Sequence, residues 1–191
     1  MLKLQNISFS YGKKKVFDNL SLSLNDGEIL AVMGPSGCGK STLLNLIAGL
    51  RKPIDGKIET DAVRISYAFQ EPRLFPWLTV TQNLAAVLPE KENADSKIAN
   101  ALATVGLSDS AYLYPAELSG GMKSRASLAR TLAYGGELFL LDEPFAALNE
   151  ELRKDLCTTL RQEFKARGAS AILVTHQLSD AQALADRILT I

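Results

Sequence analysis

The run EILAVMGPSGCGKSTLLNLIAGL, residues 28–50, constrains this chain more than any other stretch. After Asp26-Gly27, EILAVM is apolar beyond its first residue, as in a strand buried on both faces. STLLNLIAGL reads as a helix that stops near Gly49. Between them Gly34, Gly39, Lys40 and Ser41 satisfy the pattern G-x-x-x-x-G-K-[ST], in the strand–loop–helix context that the pattern requires. Glycines let consecutive backbone N–H groups turn inward around an anion, and the helix N-terminus adds partial positive charge. Lys40 is placed to neutralise the β- and γ-phosphates of a nucleotide and the Ser41 hydroxyl to ligate Mg²⁺; Pro35, Ser36, Gly37, Cys38 and Thr42 complete the loop. Cys38, beside helical N–H groups, is a candidate reactive thiol. An ordinary glycine turn is the competing reading, and the buried strand before and helix after make it the weaker one.

The rest of the chain extends the same pattern. Leu20, Leu22 and Leu24 alternate with polar residues, the period of a half-buried strand after a turn at Tyr11-Gly12. Strands are predicted around Gly56–Glu59 and Ala62–Phe69. From Thr79 to Gly106 the pattern is helical with a polar break at 89–95, which reads as a helical insertion in an α/β core. After Ser119 come a helix, then ELFLLDE as a doubly buried strand, then a helix with Leu152, Leu156, Leu160 and Phe164 on one face. Ser170–Thr175, Leu178–Ala185 and RILTI read as strand, short helix and strand. Strands alternating with helices predict a parallel sheet covered on both faces. The length, 191 residues, suits one domain.

A phosphate loop needs a carboxylate for Mg²⁺ and a group to activate water, and LFLLDE supplies Asp142 and Glu143 at a strand end. Successive residues there leave the sheet in different directions, so one can face the metal and the other an attacking water. In LSGGMKSRASLARTLA, Leu118–Ala133, Ser119 reads as an N-cap, and Gly120 and Gly121 expose N–H groups at a second anion-binding helix start. With one complete phosphate site already present, this second one suggests a nucleotide shared between two copies.

In these residues the chain closely resembles the ATP-binding subunits of ATP-binding cassette (ABC) transporters, over nearly its whole length. Gly34–Thr42 is similar to the Walker A loop, Gln70 to the Q-loop, Leu118–Met122 to the LSGGQ signature and Leu138–Glu143 to Walker B; Ala147-Leu148-Asn149 is similar to the D-loop and His176 to the switch histidine. The resemblance implies an α/β fold: a P-loop NTPase core with a mostly parallel sheet, an N-terminal antiparallel β-subdomain and an inserted helical subdomain. It implies one ABC ATPase domain over 1–191, with the helical part over about 71–134.

The roles implied are specific. Tyr11 would stack on adenine, and Gln70 would touch Mg²⁺ and the attacking water. Glu143 would be the general base, with Lys40 and His176, the one histidine of the chain, holding the γ-phosphate. Ser41, Gln70 and Asp142 would serve the metal. Ser119, Gly120 and Gly121 would contact ATP on a second ATP-binding subunit, and Asn149 would carry communication across the dimer. The cofactors implied are ATP and Mg²⁺.

FQEPRLFPWLTVTQNLA, residues 69–85, is most similar to importers of the nitrate, sulfonate and taurine group. That implies transmembrane permease subunits meeting the chain near Gln70–Trp77, a solute-binding protein in the same system, and a peripheral place on the cytoplasmic face of the cell membrane. No uninterrupted apolar run approaches the roughly 20 residues of a membrane-spanning helix, so another chain is expected to do the spanning. Met122 stands where the signature usually has Gln, and Asn149 where the D-loop usually has Asp. The segment between Gly49 and Gln70 is short for the family, and the end at RILTI suggests a minimal cassette.

Two other classes fit less well. A soluble ABC ATPase acting on nucleic acid or ribosomes would gain nothing from a charge balance of 21 basic and 21 acidic residues, and no nucleic-acid partner is expected. A small P-loop kinase would leave the LSGG stretch and His176 unexplained. Two cysteines are too few for a disulfide framework.

Overall fold

In a computed structural model that describes residues 1–89 and 93–191, two sheets organise the chain. β1 (Leu2–Tyr11) turns at Gly12, where φ is 56°, into β2 (Lys14–Leu24). Leu2, Leu4, Ile7 and Phe9 of β1 are buried with Phe17, Leu22 and Leu24 of β2, so the predicted alternation sets the inner face of this antiparallel layer. β3 (Ile29–Met33) leads into α1 (Lys40–Ile47), and β4 (Asp55–Thr60) then returns to pair with β1, giving the order β2-β1-β4. The next strand, β5 (Ile65–Ala68), is shorter than the 62–69 predicted, because the Ala62 amide turns back to donate to Thr60 Oγ1.

Between β5 and the next strand the described residues form helices and no strand: α2 (Val80–Ala85), α3 (Ala94–Thr104), two 3₁₀ turns at Ser108–Ser110 and Pro115–Glu117, and α4 (Gly120–Tyr134). Thr79 caps α2 in a capping box with Gln82. Ser119 caps α4 as its sequence position predicts, its Oγ accepting from the Met122 amide at 3.3 Å. The predicted break at 89–95 falls in part on residues 90–92, outside the described residues. β6 (Leu138–Asp142), α5 (Glu150–Arg167), β7 (Ser170–Val174), α6 (Leu178–Leu184) and β8 (Arg187–Thr190) complete the chain. Among the described residues no helix is long and apolar enough to cross a membrane.

The second sheet is parallel, in the order β5-β6-β7-β3-β8. Its central strands are buried on both faces, and side-chain parity divides the core in two. Leu30 and Val32, Leu138 and Leu140, and Ile172 and Val174 pack with α1 and the antiparallel sheet. Phe139 and Leu141, with Ala171 and Leu173, pack on the other side with α4, α5 and the helical segment between β5 and β6. That parity places the residues at the strand ends: Asp142 continues the Leu138–Leu140 series and so faces α1.

Candidate functional site

At the C-terminal edge of the parallel sheet, where ligands bind in open α/β folds, β3 opens into the loop 34–39. α1 has Gly39 as its N-cap, with φ 112° and no side-chain cap, so the first-turn N–H groups remain open to a ligand. A Cβ on Gly39 would stand 2.5 Å from Val16 Cγ1 and 2.9 Å from Phe17 Cζ; one on Gly34 would stand 2.5 Å from the Ile191 carbonyl oxygen. Both glycines are thus demanded by the approach of β2 and the end of the chain, besides anything they do for phosphate. Lys40 is buried, and its ammonium crosses the loop to donate to the carbonyls of Gly34 at 2.8 Å and Pro35 at 2.9 Å.

A cleft of about 330 Å³ opens over this loop. Ser36, Gly37, Gly39, Lys40, Ser41 and Thr42 line it, with Tyr11, Lys14 and Val16 on one side and Gln70 and Glu143 on the other. Tyr11 is 45% exposed. Its hydroxyl meets Thr42 Oγ1 at 3.5 Å, the Phe9 ring sets it edge-on at 5.0 Å, and the Arg51 guanidinium lies 5.6 Å from its centroid.

Asp142 is the last residue of β6, and Glu143 follows it outside the strand. Asp142 is buried, and its Oδ1 has no hydrogen-bond partner. Burial pushes its carboxyl above the usual range; the Ser41 hydroxyl pulls it down, the neighbouring Glu143 charge pushes up and the Lys40 ammonium pulls down. An orphaned buried carboxylate oxygen beside a hydroxyl fits a hard divalent cation, and Mg²⁺ is usually held by one or two carboxylates with substrate phosphates completing the shell. Among the described residues no group of three or more His, Cys, Asp or Glu could hold a metal alone. Glu143 takes φ 47°, a left-handed conformation costly for a non-glycine residue, and its amide donates to the Val174 carbonyl at 2.9 Å. This bend brings Glu143 Oε2 to 3.2 Å from Nδ1 of His176, which follows β7 and is half exposed.

Ser119, Gly120, Gly121 and Asn149 do not line this cleft. The first three start α4, where Gly120 faces open space and a Cβ on Gly121 would stand 2.9 Å from the Ala147 carbonyl oxygen. Met122 is half-buried against the helical side of the core. Asn149 caps α5, its Oδ1 accepting from the Leu152 amide at 3.0 Å, a task needing no charge.

Sequence reasoning missed the residues that shape the loop after Gln70. Asn83 is fully buried: its Oδ1 accepts from the Phe75 amide at 2.8 Å, and its Nδ2 donates to the Leu78 and Thr79 carbonyls at 3.0 Å and to that of Phe75 at 3.2 Å. Arg130 donates to the carbonyls of Pro72 and Arg73 at 2.9 and 2.8 Å, and the Arg73 guanidinium lies 4.2 Å from the Phe69 centroid. An asparagine among apolar neighbours on a short helix was the available signal for the first; Arg130 offered none.

The family model described as ABC transporter matches residues 17–146. The chain belongs to the ABC transporter family. This ABC domain is 42% identical to the aliphatic sulfonates import ATP-binding protein SsuB of Yersinia pestis, an alignment covering all of the chain and 72% of that protein. It is also 42% identical to SsuB of Bacillus subtilis, over 92% of the chain and 72% of that protein. Among solved structures, the dimeric bacterial ABC transporter cassette MJ0796 superposes with a TM-score of 0.92 at 28% identity, covering 100% of this chain and 94% of that one. The same cassette in a dimeric post-hydrolysis state bound to ADP and Pi superposes with a TM-score of 0.90 at 28% identity, with the same coverage. The α/β fold, with its parallel core and antiparallel N-terminal sheet, is that of these ABC cassettes.

Proposed function

We propose that this ABC domain binds and hydrolyses ATP to energise a membrane importer of small solutes of the nitrate, sulfonate or taurine kind, working as one half of a cassette dimer. The observation that carries this reading is the juxtaposition at one sheet edge of a buried Lys40, an orphaned Asp142 oxygen and a Glu143–His176 pair 3.2 Å apart. The SsuB relatives, which are named sulfonate-import proteins, and the dimeric cassettes support it.

Tyr11, exposed at the mouth of the cleft, offers its ring to adenine. The 34–42 loop wraps the phosphates with backbone N–H groups, and the Lys40 ammonium exchanges loop carbonyls for phosphate oxygens. Ser41, Asp142 and Gln70 would hold Mg²⁺, which when bound would neutralise phosphate charge. Glu143 accepts the proton of the attacking water while His176, oriented through Nδ1 by the Glu143 carboxylate, holds its ring against the γ-phosphate.

Ser119, Gly120 and Gly121 lie away from the cleft of their own chain, as residues must that contact the γ-phosphate held by a second subunit. Asn149, the cap of α5, carries communication across the dimer. Residues 1–191 act as one ABC ATPase domain, with 71–134 as its helical subdomain. The exposed pair Phe75 and Trp77, on a loop fixed by Asn83 and Arg130, meets the permease subunits. A solute-binding protein completes the system, and the domain sits peripherally on the cytoplasmic face of the membrane.

Glu143→Gln removes the base and leaves the phosphate cradle intact. Turnover should fall at least about 100-fold while Mg·ATP binding persists and an ATP-bound dimer accumulates in light scattering. Wild-type turnover in that variant would refute the assignment.

A further inference from the structure

Behind the Glu143–His176 pair lies a charge pair, half-buried at Arg153 and buried at Asp180, that the proposed chemistry does not use. Arg153, near the start of α5, donates from Nη2 to the Leu148 carbonyl at 2.9 Å. Its Nε, buried and without a hydrogen-bond partner, lies 3.9 Å from Asp180 Oδ1, an ion pair too long to be a hydrogen bond. Asp180 is only 4% exposed, and its Oδ2 accepts from Thr175 Oγ1 at 3.3 Å. The Thr175 hydroxyl in turn accepts from the Gln177 amide at 3.1 Å. Thr175 and Gln177 flank His176, so this relay fixes the backbone on both sides of the histidine.

At its other end the relay holds the segment that runs from Glu143 to α5. The Leu148 carbonyl bonded by Arg153 lies one residue before the Asn149 cap, and the neighbouring Ala147 carbonyl abuts Gly121. A small cavity of about 30 Å³ between the two segments is lined by Glu143, Phe145, Arg153, Thr175, His176 and Asp180. The Glu143–His176 contact spans two separate strand ends, and Arg153 with Asp180 is a further tie between the segments that follow them.

We propose that Arg153 and Asp180 are positioning residues that clamp the 144–149 segment to the His176 segment and so set the Glu143–His176 geometry. This rests on the ATPase reading above. Arginine suits the task because Nη2 and Nε, held apart on one rigid plane, face the Leu148 carbonyl and the Asp180 carboxylate respectively, a spacing that a single ammonium nitrogen does not reproduce. Burial holds the Asp180 carboxyl above its usual range, and the Arg153 charge, the Thr175 hydrogen bond and the His176 charge offset that only in part.

The test uses the full chain under dimerising conditions, measuring ATPase kinetics, Mg·ATP affinity by calorimetry and thermal unfolding for Arg153→Lys, Arg153→Gln and Asp180→Asn. Arg153→Lys keeps the buried charge balanced and should melt near wild type, yet its kcat should fall about 10–100-fold because reacting groups misplaced by an ångström lose rate on that scale. KM and Mg·ATP affinity should change less than about threefold, the signature of an interaction felt in the transition state. Asp180→Asn keeps an acceptor for Thr175 and should show the same split. Wild-type kcat in a folded Arg153→Lys, or a kcat loss matched by an equal loss of ATP affinity in all three variants, overturns the proposal and leaves the ATPase reading standing. A wild-type chain that binds no ATP overturns both.

Discussion

Replacing Asn83 should unfasten the loop that carries Phe75 and Trp77, and the structure allows the cost to be worked out. The Asn83 side chain donates to three carbonyls, yet not all are orphaned by its removal. The Thr79 carbonyl also accepts from the Asn83 backbone amide at 2.8 Å and that of Phe75 from the Leu78 amide at 3.2 Å. Asn83→Ala therefore strands two groups, the Phe75 amide and the Leu78 carbonyl. Both groups are only partly buried and within reach of water, so each sits at the low end of the 1–3 kcal/mol for an unsatisfied group and the loss is about 2 kcal/mol. Asn83→Asp separates the roles of the two amide atoms: it keeps an acceptor for the Phe75 amide and turns a carboxylate oxygen toward three carbonyl oxygens. Such a carboxyl has its folded pKa raised, so its contribution to stability is full below its unfolded pKa and is lost as pH rises through the folded one. Urea unfolding of both variants between pH 4 and pH 8 checks this. Asn83→Ala should be nearly flat with pH relative to wild type, while Asn83→Asp should lose further stability toward pH 8. An alanine cost under about 1 kcal/mol, or an aspartate variant with no extra pH dependence, would refute the hydrogen-bond accounting.

Two further outcomes follow from burial and charge. Cys157 is fully buried, with burial and then the Asp180 charge pushing its thiol up to about 12, while Cys38 is half-buried in the phosphate loop. Brief alkylation of the folded chain, read by mass spectrometry, should label Cys38 alone, and Mg·ATP should slow it; labelling of Cys157 first would contradict the packing. Asp186 is held below the usual carboxylate range although burial pushes it up, because the Lys165 hydrogen bond, the Ile29 amide and the charges of Lys165 and Arg161 prevail. The stability it adds is present above its unfolded pKa and lost as pH falls through the folded one, so Asp186→Asn should cost about 1 kcal/mol at pH 7 and nothing in strong acid; a pH-independent cost would exclude the charge as its source.

What the sequence made legible and what it hid divide along a physical line. β3, β6 and β7 were readable because burial on both faces leaves an unbroken apolar run, and α5 because its buried leucines recur every turn. The positions of Lys40, Asp142 and His176 follow from those runs, since each stands where a readable element begins or ends. Whatever depends on two distant segments meeting was not readable. Gly34 and Gly39 look like phosphate glycines, and only the packing of Ile191, Val16 and Phe17 against them shows a second demand on the same atoms. Asn149, singled out as a lost charge, serves the chain as a helix cap that Asn fills as well as Asp. The left-handed Glu143 is the sharpest case: alternation alone would send its side chain away from Asp142, toward the helical side of the sheet. A bend costing about 1–3 kcal/mol re-aims it at His176, just past the end of the neighbouring strand. A polypeptide retains such strain only where surrounding contacts over-determine the backbone. The Glu143 amide bonded to the Val174 carbonyl, and the Glu143 carbonyl accepting from the Ala146 amide at 3.2 Å, hold the two sides of that bend.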